Sequence, residues 1–165
     1  SSSTTYSVDE CGDLLACKVG ADGNISWFSV FPKLQREVAA IGNAGFFMYT
    51  SFFDNSSRPF YAGFGALQTK NSIQVLFNDN PKNATVTQPG QKVKITRRFG
   101  KSHCFLLTID ESTGKYSRKM FFSNADVPTA MPRLGSVVAD NMYIVGKEDR
   151  VLGKSKISVA KISMN

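Results

Sequence analysis

The segment that most resembles a nucleotide site is Gly146–Ser155, which ends in Gly153-Lys154-Ser155. A phosphate-binding loop needs a glycine, four residues and then Gly-Lys-Ser at the start of a helix. Here Glu148 stands five positions before Gly153, where its carboxylate would repel a phosphate, and the residues that follow resemble a strand. The sequence therefore argues against nucleotide binding, and it predicts no cofactor.

Histidine bases and nitrogen or sulfur metal ligands are few. His103 is the only histidine, and on a strand its neighbour Cys104 would point to the opposite face. Cys11 and Cys17 do not have zinc-ligand spacing, although they could close a short disulfide loop in an oxidising compartment. A glycosidase would need two facing carboxylates, and their pairing cannot be derived from the sequence. The sequence favours a non-catalytic protein and predicts neither catalytic residues nor a metal site.

Two polar clusters are candidates for binding. Asn78-Asp79-Asn80 with Asn83 gathers oxygen atoms as a calcium loop would, but turns that use Asn and Asp side chains explain the cluster better. The basic stretch Arg97–Lys101, with Phe99 inside it, has the ingredients of a single-strand nucleic-acid groove. A solvated turn explains that stretch more simply, and we predict no nucleic-acid partner.

Aromatic side chains offer a third surface. Trp27, the only tryptophan, could stack on a sugar together with Phe60, Tyr61 and Phe64, although most such rings pack into cores. Together these clusters give the following candidate binding residues: Trp27, Asn78, Asp79, Asn80, Asn83, Arg97, Arg98 and Lys101.

Composition points to a sheet protein. The 165 residues include 13 Phe, 5 Tyr and 13 Gly, and 42% are apolar, which suits one globular domain of pleated strands. Residues 1–82 carry six basic and seven acidic side chains, whereas residues 83–165 carry fourteen and six. The basic half would favour an acidic partner, although solvent-facing Lys and Arg on alternate strand positions explain it more simply. No apolar run is long enough for a transmembrane helix.

Short alternating apolar runs, separated by Gly, Asn, Asp and Pro, predict many strands. The predicted strands are Leu14–Val19, Ile25–Phe31, Gly45–Phe53, Phe60–Leu67, Ser72–Phe77, Lys92–Arg97, Cys104–Ile109, Tyr116–Phe122, Ser136–Ala139, Met142–Val145 and Lys156–Ile162. Leu34–Ile41 is the best helical candidate, and Asn78–Gln91 and Asn124–Arg133 are expected to be loops. Gly23 and Gly114 are expected at matching hairpin turns 91 residues apart, about two propeller blades.

Three strings of residues resemble a recurrent pattern in large exported proteins of Bacteroidota. They are Asp22–Trp27 followed by Phe31-Pro32-Lys33 and Gln35; Phe77-Asn78-Asp79 followed by Asn83; and Tyr143, Gly146, Arg150, Gly153 and Lys154. The resemblance covers most of the chain as the C-terminal portion of a propeller-like repeat protein. It implies a fold and export to the periplasm, cell surface or medium, and it implies no activity.

We therefore predict an antiparallel all-β fold of β-propeller-like blades, with a closed β-barrel or sandwich as the alternative. Residues 1–10 are expected to be a flexible N-terminal linker and residues 11–165 a single all-β domain or partial propeller. Since the chain starts at Ser1 without Met or an apolar leader, we expect a processed product, an expression fragment or the ordered part of a longer protein, and favour the last two.

The predicted function is a non-catalytic structural or protein-interaction module of an exported cell-envelope protein. Its partner would be another protein or the rest of the parent chain. The alternative is a carbohydrate-binding or glycan-processing propeller module, and a binder of acidic polymers is a third candidate.

Overall fold

A computed structural model describes residues 5–41, 58–148 and 156–163. In these ranges every regular element is a β-strand, except for two single turns of 3-10 helix at Pro81–Asn83 and Phe99–Lys101. The strands are β1 Thr5–Cys11, β2 Leu14–Val19, β3 Ile25–Phe31, β4 Gln35–Ile41, β5 Gly65–Gln68, β6 Ser72–Asp79, β7 His103–Asp110, β8 Tyr116–Ser123, β9 Thr129–Val138, β10 Asn141–Glu148 and β11 Lys156–Ser163. The predicted all-β class is confirmed.

The strands form four antiparallel sheets. A four-stranded meander has the order β5-β6-β7-β8, a three-stranded sheet has the order β11-β10-β9, and β2-β3 and β1-β4 are two-stranded. None of these sheets closes on itself within the described ranges, because each ends in two strands that pair on one side only. The closed barrel considered from the sequence is therefore not the architecture of this part of the chain.

The core lies on both faces of the four-stranded sheet. Alternate side chains of β6 and β7 point to opposite faces, so that Phe105 and Leu107 join one cluster and Cys104 and Leu106 join the other. The first cluster is completed by the β2-β3 hairpin, and the second by the three-stranded sheet. The four-stranded sheet is thus the middle of three layers.

The hairpin turns form where the sequence places them. Gly23 has φ of 81° and Gly114 has φ of 67°, the left-handed region that glycine enters at little cost. In the β9-β10 hairpin Ala139 takes this conformation, with φ of 51°.

Two predicted elements have a different structure. Leu34–Ile41, the helical candidate, is strand β4 after its first residue, because Gln35 and Glu37 alternate into a buried polar layer. Lys92–Arg97, a predicted strand, has only one isolated bridge, between Thr96 and Gln35. Apart from Thr96, whose amide donates to the carbonyl of Leu34 and whose carbonyl accepts from the amide of Arg36, the segment is extended without a paired strand.

Two boundaries are also wrong. The predicted strand Phe60–Leu67 begins only at Gly65, since the preceding amides bond to side chains of β4 instead of to a strand. The predicted connection Asn124–Arg133 contains the start of β9 at Thr129. Pro132 is tolerated there because β9 is an edge strand and its pairing with β10 shifts register between Tyr143 and Val145.

The first ten residues include most of β1, which pairs with β4 from Thr5↔Ile41 to Cys11↔Gln35. Residues 5–10, predicted as linker, therefore lie in a sheet. The predicted strand Gly45–Phe53 falls outside the described residues.

Candidate functional site

Seven of the eight predicted binding residues gather at one end of the four-stranded sheet. Asn78 and Asp79 end β6, the turn Pro81–Asn83 follows, and the chain then returns along β4 to the turn at Phe99–Lys101. Trp27 lies elsewhere, at the turn between β7 and β8. The site therefore has a buried part, around Asn78 and Asp79, and an exposed basic part, formed by Arg97, Arg98 and Lys101.

Asn78 is completely buried and all its side-chain groups are bonded within the protein. Its Nδ2 donates to the carbonyl oxygens of Tyr61 at 3.0 Å and Ala130 at 2.8 Å, and its Oδ1 accepts from Nδ2 of Asn124 at 2.8 Å. Asn124 in turn donates to Oγ of Ser102 at 2.9 Å. Asn78 thus connects the segment at Tyr61, the turn at Asn124 and strand β9 to the end of β6.

Asp79 is the centre of the buried part, with no exposed surface. Its Oδ1 accepts hydrogen bonds from Oγ1 of Thr96 at 2.7 Å and Nδ2 of Asn83 at 2.9 Å, and its Oδ2 accepts from Nη2 of Arg118 at 2.6 Å. The guanidinium of Arg118 lies over the rings of Phe77 and Phe105, 5.1 Å and 4.2 Å from their centroids. A paired, hydrogen-bonded carboxylate of this kind holds segments together in a fixed arrangement.

Asn83 holds the returning chain in place. Its Oδ1 accepts from the amide of Lys94 at 2.8 Å and its Nδ2 donates to the carbonyl of Lys94 at 2.7 Å. The side chain of Asn83 thus makes two hydrogen bonds with the backbone of Lys94, as the backbone of a neighbouring strand would. Asn80 contributes a cap to the turn, with Oδ1 accepting from the amide of Lys82 at 3.0 Å.

A row of polar side chains on β4 extends this network and was not predicted from the sequence. Gln35 accepts from the amide of Gly63 at 2.9 Å and donates to the carbonyl of Asn78 at 2.6 Å. The carboxylate of Glu37 accepts from the amides of residues 60, 61 and 62 at 2.9, 2.6 and 2.9 Å. The sequence does indicate a strand here, because polar residues occupy alternate positions at Lys33, Gln35 and Glu37. Over so short a segment, however, the same residues also fit a helix.

Lys33 is a buried lysine in this row. Its Nζ donates to Oε1 of Gln35 at 2.9 Å, and burial lowers the pKa of its ammonium group, while Cys11, Asp79 and Asp13 act in the opposite direction. A buried ammonium group with an amide partner stabilises the fold less than one with a carboxylate partner would.

The exposed part is a basic groove, which we define by its lining residues. They are Asn80, Pro81, Ile95, Thr96, Arg97, Arg98, Lys101 and Ser102. Its volume is about 290 Å³. Arg97, Arg98 and Lys101 are exposed, and none of the three forms an ion pair among the described residues.

The surrounding sequence increases the positive charge of the basic groove. Residues 80–109 contain six basic and no acidic side chains, and the nearby carboxylate of Asp79 is buried and paired with Arg118. A concave surface lined by one sign of charge concentrates ions of the other sign. The basic groove is therefore suited to an acidic group on a partner.

Trp27 is used for packing. Its Nε1 donates to the carbonyl of Glu111 at 2.9 Å, and its ring covers Gly114, where an added Cβ would lie 2.6 Å from ring atoms. Ser29 donates to the carbonyl of Gly114 at 2.9 Å, and Lys18 pairs with Glu111 at 2.7 Å. These contacts join the two hairpins that the sequence predicted to match. A carbohydrate-binding role for Trp27 stays a prediction.

The other chemical candidates do not assemble into a site. Within the described ranges there is no group of three or more His, Cys, Asp or Glu side chains placed to hold a metal ion. Cys104 is buried between sheets, and burial raises its pKa to about 12. Cys11, Cys17 and Cys104 are free thiols, and Lys154 of the Gly-Lys-Ser string lies outside the described residues.

Asp110 supports a turn. Its carboxylate accepts from the hydroxyls of Ser112 at 2.6 Å and Thr113 at 2.8 Å and from their amides, which lowers its pKa to about 2. This pattern is that of a local turn motif.

The chain matches no protein-family model, no curated protein and no solved structure in these comparisons. The resemblance to exported proteins of Bacteroidota therefore stays a prediction. No helix among the described residues has the length and apolar character to cross a bilayer.

Proposed function

We propose that this chain is a non-catalytic interaction module of an exported cell-envelope protein, and that its basic groove contacts an acidic surface of a protein partner or of the parent chain. The observation that carries the proposal is the convergence of Arg97, Arg98 and Lys101 on one concave surface with no carboxylate partner among the described residues.

The buried network supports this role because it fixes the shape of the groove. Thr96 and Ser102 both line the groove, and Thr96 donates to Asp79 while Ser102 accepts from Asn124. The basic side chains are therefore presented by a backbone that is already held in place. Such preorganisation reduces the entropy that binding would otherwise cost.

The larger architecture we propose is a partial β-propeller. The β5-β6-β7-β8 meander has the strand number and sequential order of a propeller blade. The β2-β3 hairpin packs on one face and the three-stranded sheet on the other, as neighbouring blades would. On this proposal the parent chain or a partner subunit supplies the remaining blades.

Binding of poly-L-glutamate, measured by fluorescence anisotropy with labelled polymer, tests the basic groove. The triple variant Arg97→Glu, Arg98→Glu, Lys101→Glu should lose at least about tenfold in affinity at 0.05 M salt, because each substitution replaces attraction by repulsion. Binding by the unchanged chain should weaken as salt rises past about 0.15 M, where the screening length is about 8 Å.

The matched control makes the same change in net charge elsewhere. Lys70, Lys115 and Lys119 are exposed residues outside the groove, so their joint substitution by Glu should lower affinity only through the total charge. Equal losses in the two triple variants would show that the polymer senses net charge alone, and the proposed groove would then be wrong.

A further inference from the structure

The outer edge of β11 is a second surface, on the opposite side of the four-stranded sheet from the β2-β3 hairpin. β11 pairs with β10 along its whole length, from Lys156 to Ser163, and no other described strand pairs with it. An edge of this kind presents unpaired backbone donors and acceptors to solvent.

The two packed sheets differ in strand number, and the difference falls at this edge. β5, β6 and β7 contribute buried side chains to the cluster against β9, β10 and β11. β8 adds only Phe122, which is partly buried. The four-stranded sheet therefore extends one strand beyond the three-stranded sheet that covers it.

An apolar cleft of about 400 Å³ lies at this place. Phe122, Val127 and Pro128 line it on one side, and Val159 and Ala160 of β11 belong to the other. Ala160, on the face of β11 that also carries Ile162 of the core cluster, is exposed. A fourth strand beside β11 would cover this cleft with every second side chain.

The charge of β11 indicates what such a strand carries. Lys156 and Lys161 are both exposed, and β11 contains no acidic residue; Glu148 of β10 lies opposite Lys156. Two copies paired antiparallel over the whole strand would place Lys156 of each copy diagonally across from Lys161 of the other, and like charges across strands are destabilising. The charge pattern therefore disfavours a second copy and favours an acidic strand.

We propose that the outer edge of β11 binds an extended segment of a protein partner as a fourth β-strand. Apolar residues at alternate positions of that segment enter the cleft beside Phe122, and acidic residues lie opposite Lys156 and Lys161. Backbone hydrogen bonds supply affinity and the cleft supplies specificity, as in other cases of strand addition. This surface is separate from the basic groove.

The probe is a fluorescein-labelled peptide, Thr-Val-Glu-Val-Thr-Val-Thr-Glu. Aligned antiparallel with β11, it directs its valines to the face that carries Ser158, Ala160 and Ile162 and places its two glutamates opposite Lys161 and Lys156. Anisotropy with the whole chain should show saturable binding, and amides of β11 should exchange more slowly in the complex. Replacing the middle valine by proline, which cannot donate a hydrogen bond, should abolish both effects.

The variant Lys156→Glu, Lys161→Glu should bind this peptide at least about fivefold more weakly, because two opposed charge pairs become repulsive. It should prefer a peptide whose glutamates are replaced by lysines. Lys70→Glu, Lys115→Glu makes the same change in net charge away from the edge, and it should keep the original preference. Unchanged urea midpoints for both variants would exclude a folding effect.

Three results would overturn the proposal. They are no binding of the probe, equal binding of the proline-containing peptide, and a concentration-dependent dimer that Lys156→Glu, Lys161→Glu disrupts or strengthens, which would place a second copy on the edge. Because the Arg97, Arg98 and Lys101 variant leaves this edge intact, it should bind the probe normally, so failure here is distinguishable from failure of the basic groove.

Discussion

Arg118 is a buried cation with one charged partner among the described residues. Its side chain is 3% exposed, its Nε has no hydrogen-bond partner among the described residues, and Asp79 at 2.6 Å supplies the opposite charge. Phe77 and Phe105 surround the guanidinium, so water cannot replace a lost carboxylate easily. The stability of this end of the sheet therefore depends on the pair as a unit.

Asp79→Asn should reduce the free energy of unfolding by about 3–5 kcal/mol, the usual cost of removing one partner from a buried ion pair. Adding Arg118→Met to this variant should restore part of the loss, because the uncompensated charge disappears. Urea unfolding of the two single variants and the double variant measures the coupling.

Asp126→Asn is the control, since Asp126 is exposed in a turn and its change should have little effect. A loss below about 1 kcal/mol for Asp79→Asn would contradict the proposed dependence of Arg118 on its partner.

At the scale of elements, strands of the β2-β3 hairpin contact the turn of the matching β7-β8 hairpin. Trp27 of β3 covers Gly114 in the turn between β7 and β8, whereas a Cβ added at Gly23, in the turn of its own hairpin, would meet no atom within 4 Å. Both glycines have positive φ, 67° for Gly114 and 81° for Gly23. They therefore share a backbone requirement and differ in their surroundings.

Gly23→Ala should destabilise the protein by about 1 kcal/mol, the cost of placing a side chain in the left-handed region. Gly114→Ala should cost about 1–3 kcal/mol more, because its Cβ would overlap the ring of Trp27. Urea unfolding gives both values, and the fluorescence of Trp27, the only tryptophan, should change in the Gly114 variant alone. Equal costs for the two substitutions would mean that Trp27 does not press on Gly114.

The elements that the sequence predicts best are those whose neighbours are close in the chain. β2, β3, β7 and β8 match their predictions within a residue or two, because alternation and a glycine turn specify a hairpin locally. The prediction for β4 was wrong because its inward residues are polar and are satisfied by amides near residue 60. The bonding partners of these polar side chains lie far along the chain, and no local pattern encodes them.

The same reasoning explains which residues of the candidate site could be predicted from the sequence and which could not. The sequence picked out Asn78, Asp79 and Asn83 as a polar cluster, and the structure brings them together. It did not pick out Arg118 or Gln35, whose role depends on packing between strands that are distant in sequence. As binding residues, Asn78 and Asp79 were expected to be exposed, but both are buried. Polarity alone does not distinguish a hydrogen-bonded core residue from a surface residue.

For the whole molecule, the contact between the two larger sheets holds one of the two buried apolar clusters. Cys104 lies in this contact with no exposed surface, and its pKa is raised to about 12 from an ordinary value of 9.0. The unfolded chain therefore loses this thiol proton more readily than the folded protein. Above pH 9 the unfolded state binds fewer protons, so this group makes stability fall as pH rises from 9 to 12.

Reaction with a disulfide reagent tests this arrangement in the variant Cys11→Ser, Cys17→Ser, which keeps Cys104 as the only cysteine. At about pH 8 Cys104 should react only as fast as the sheets separate, and its rate should follow urea as global unfolding does. The exposed thiol of Cys17, kept in the matched variant Cys11→Ser, Cys104→Ala, should react at once. Fast reaction of Cys104 in the native protein would mean that the sheets separate locally.

The two-point bonding of Lys94 by Asn83 has an engineering consequence. One amide side chain closes the segment between them at its base, and Val86 and Thr87 in its first half accept hydrogen bonds from Arg118 and Tyr116 of β8. Pro89 and Gly90 lie beyond these contacts and are exposed, so we expect an epitope tag, a fluorophore or an extra domain inserted between them to leave the core undisturbed. This insertion point would allow the protein to be immobilised or imaged with its binding surfaces free.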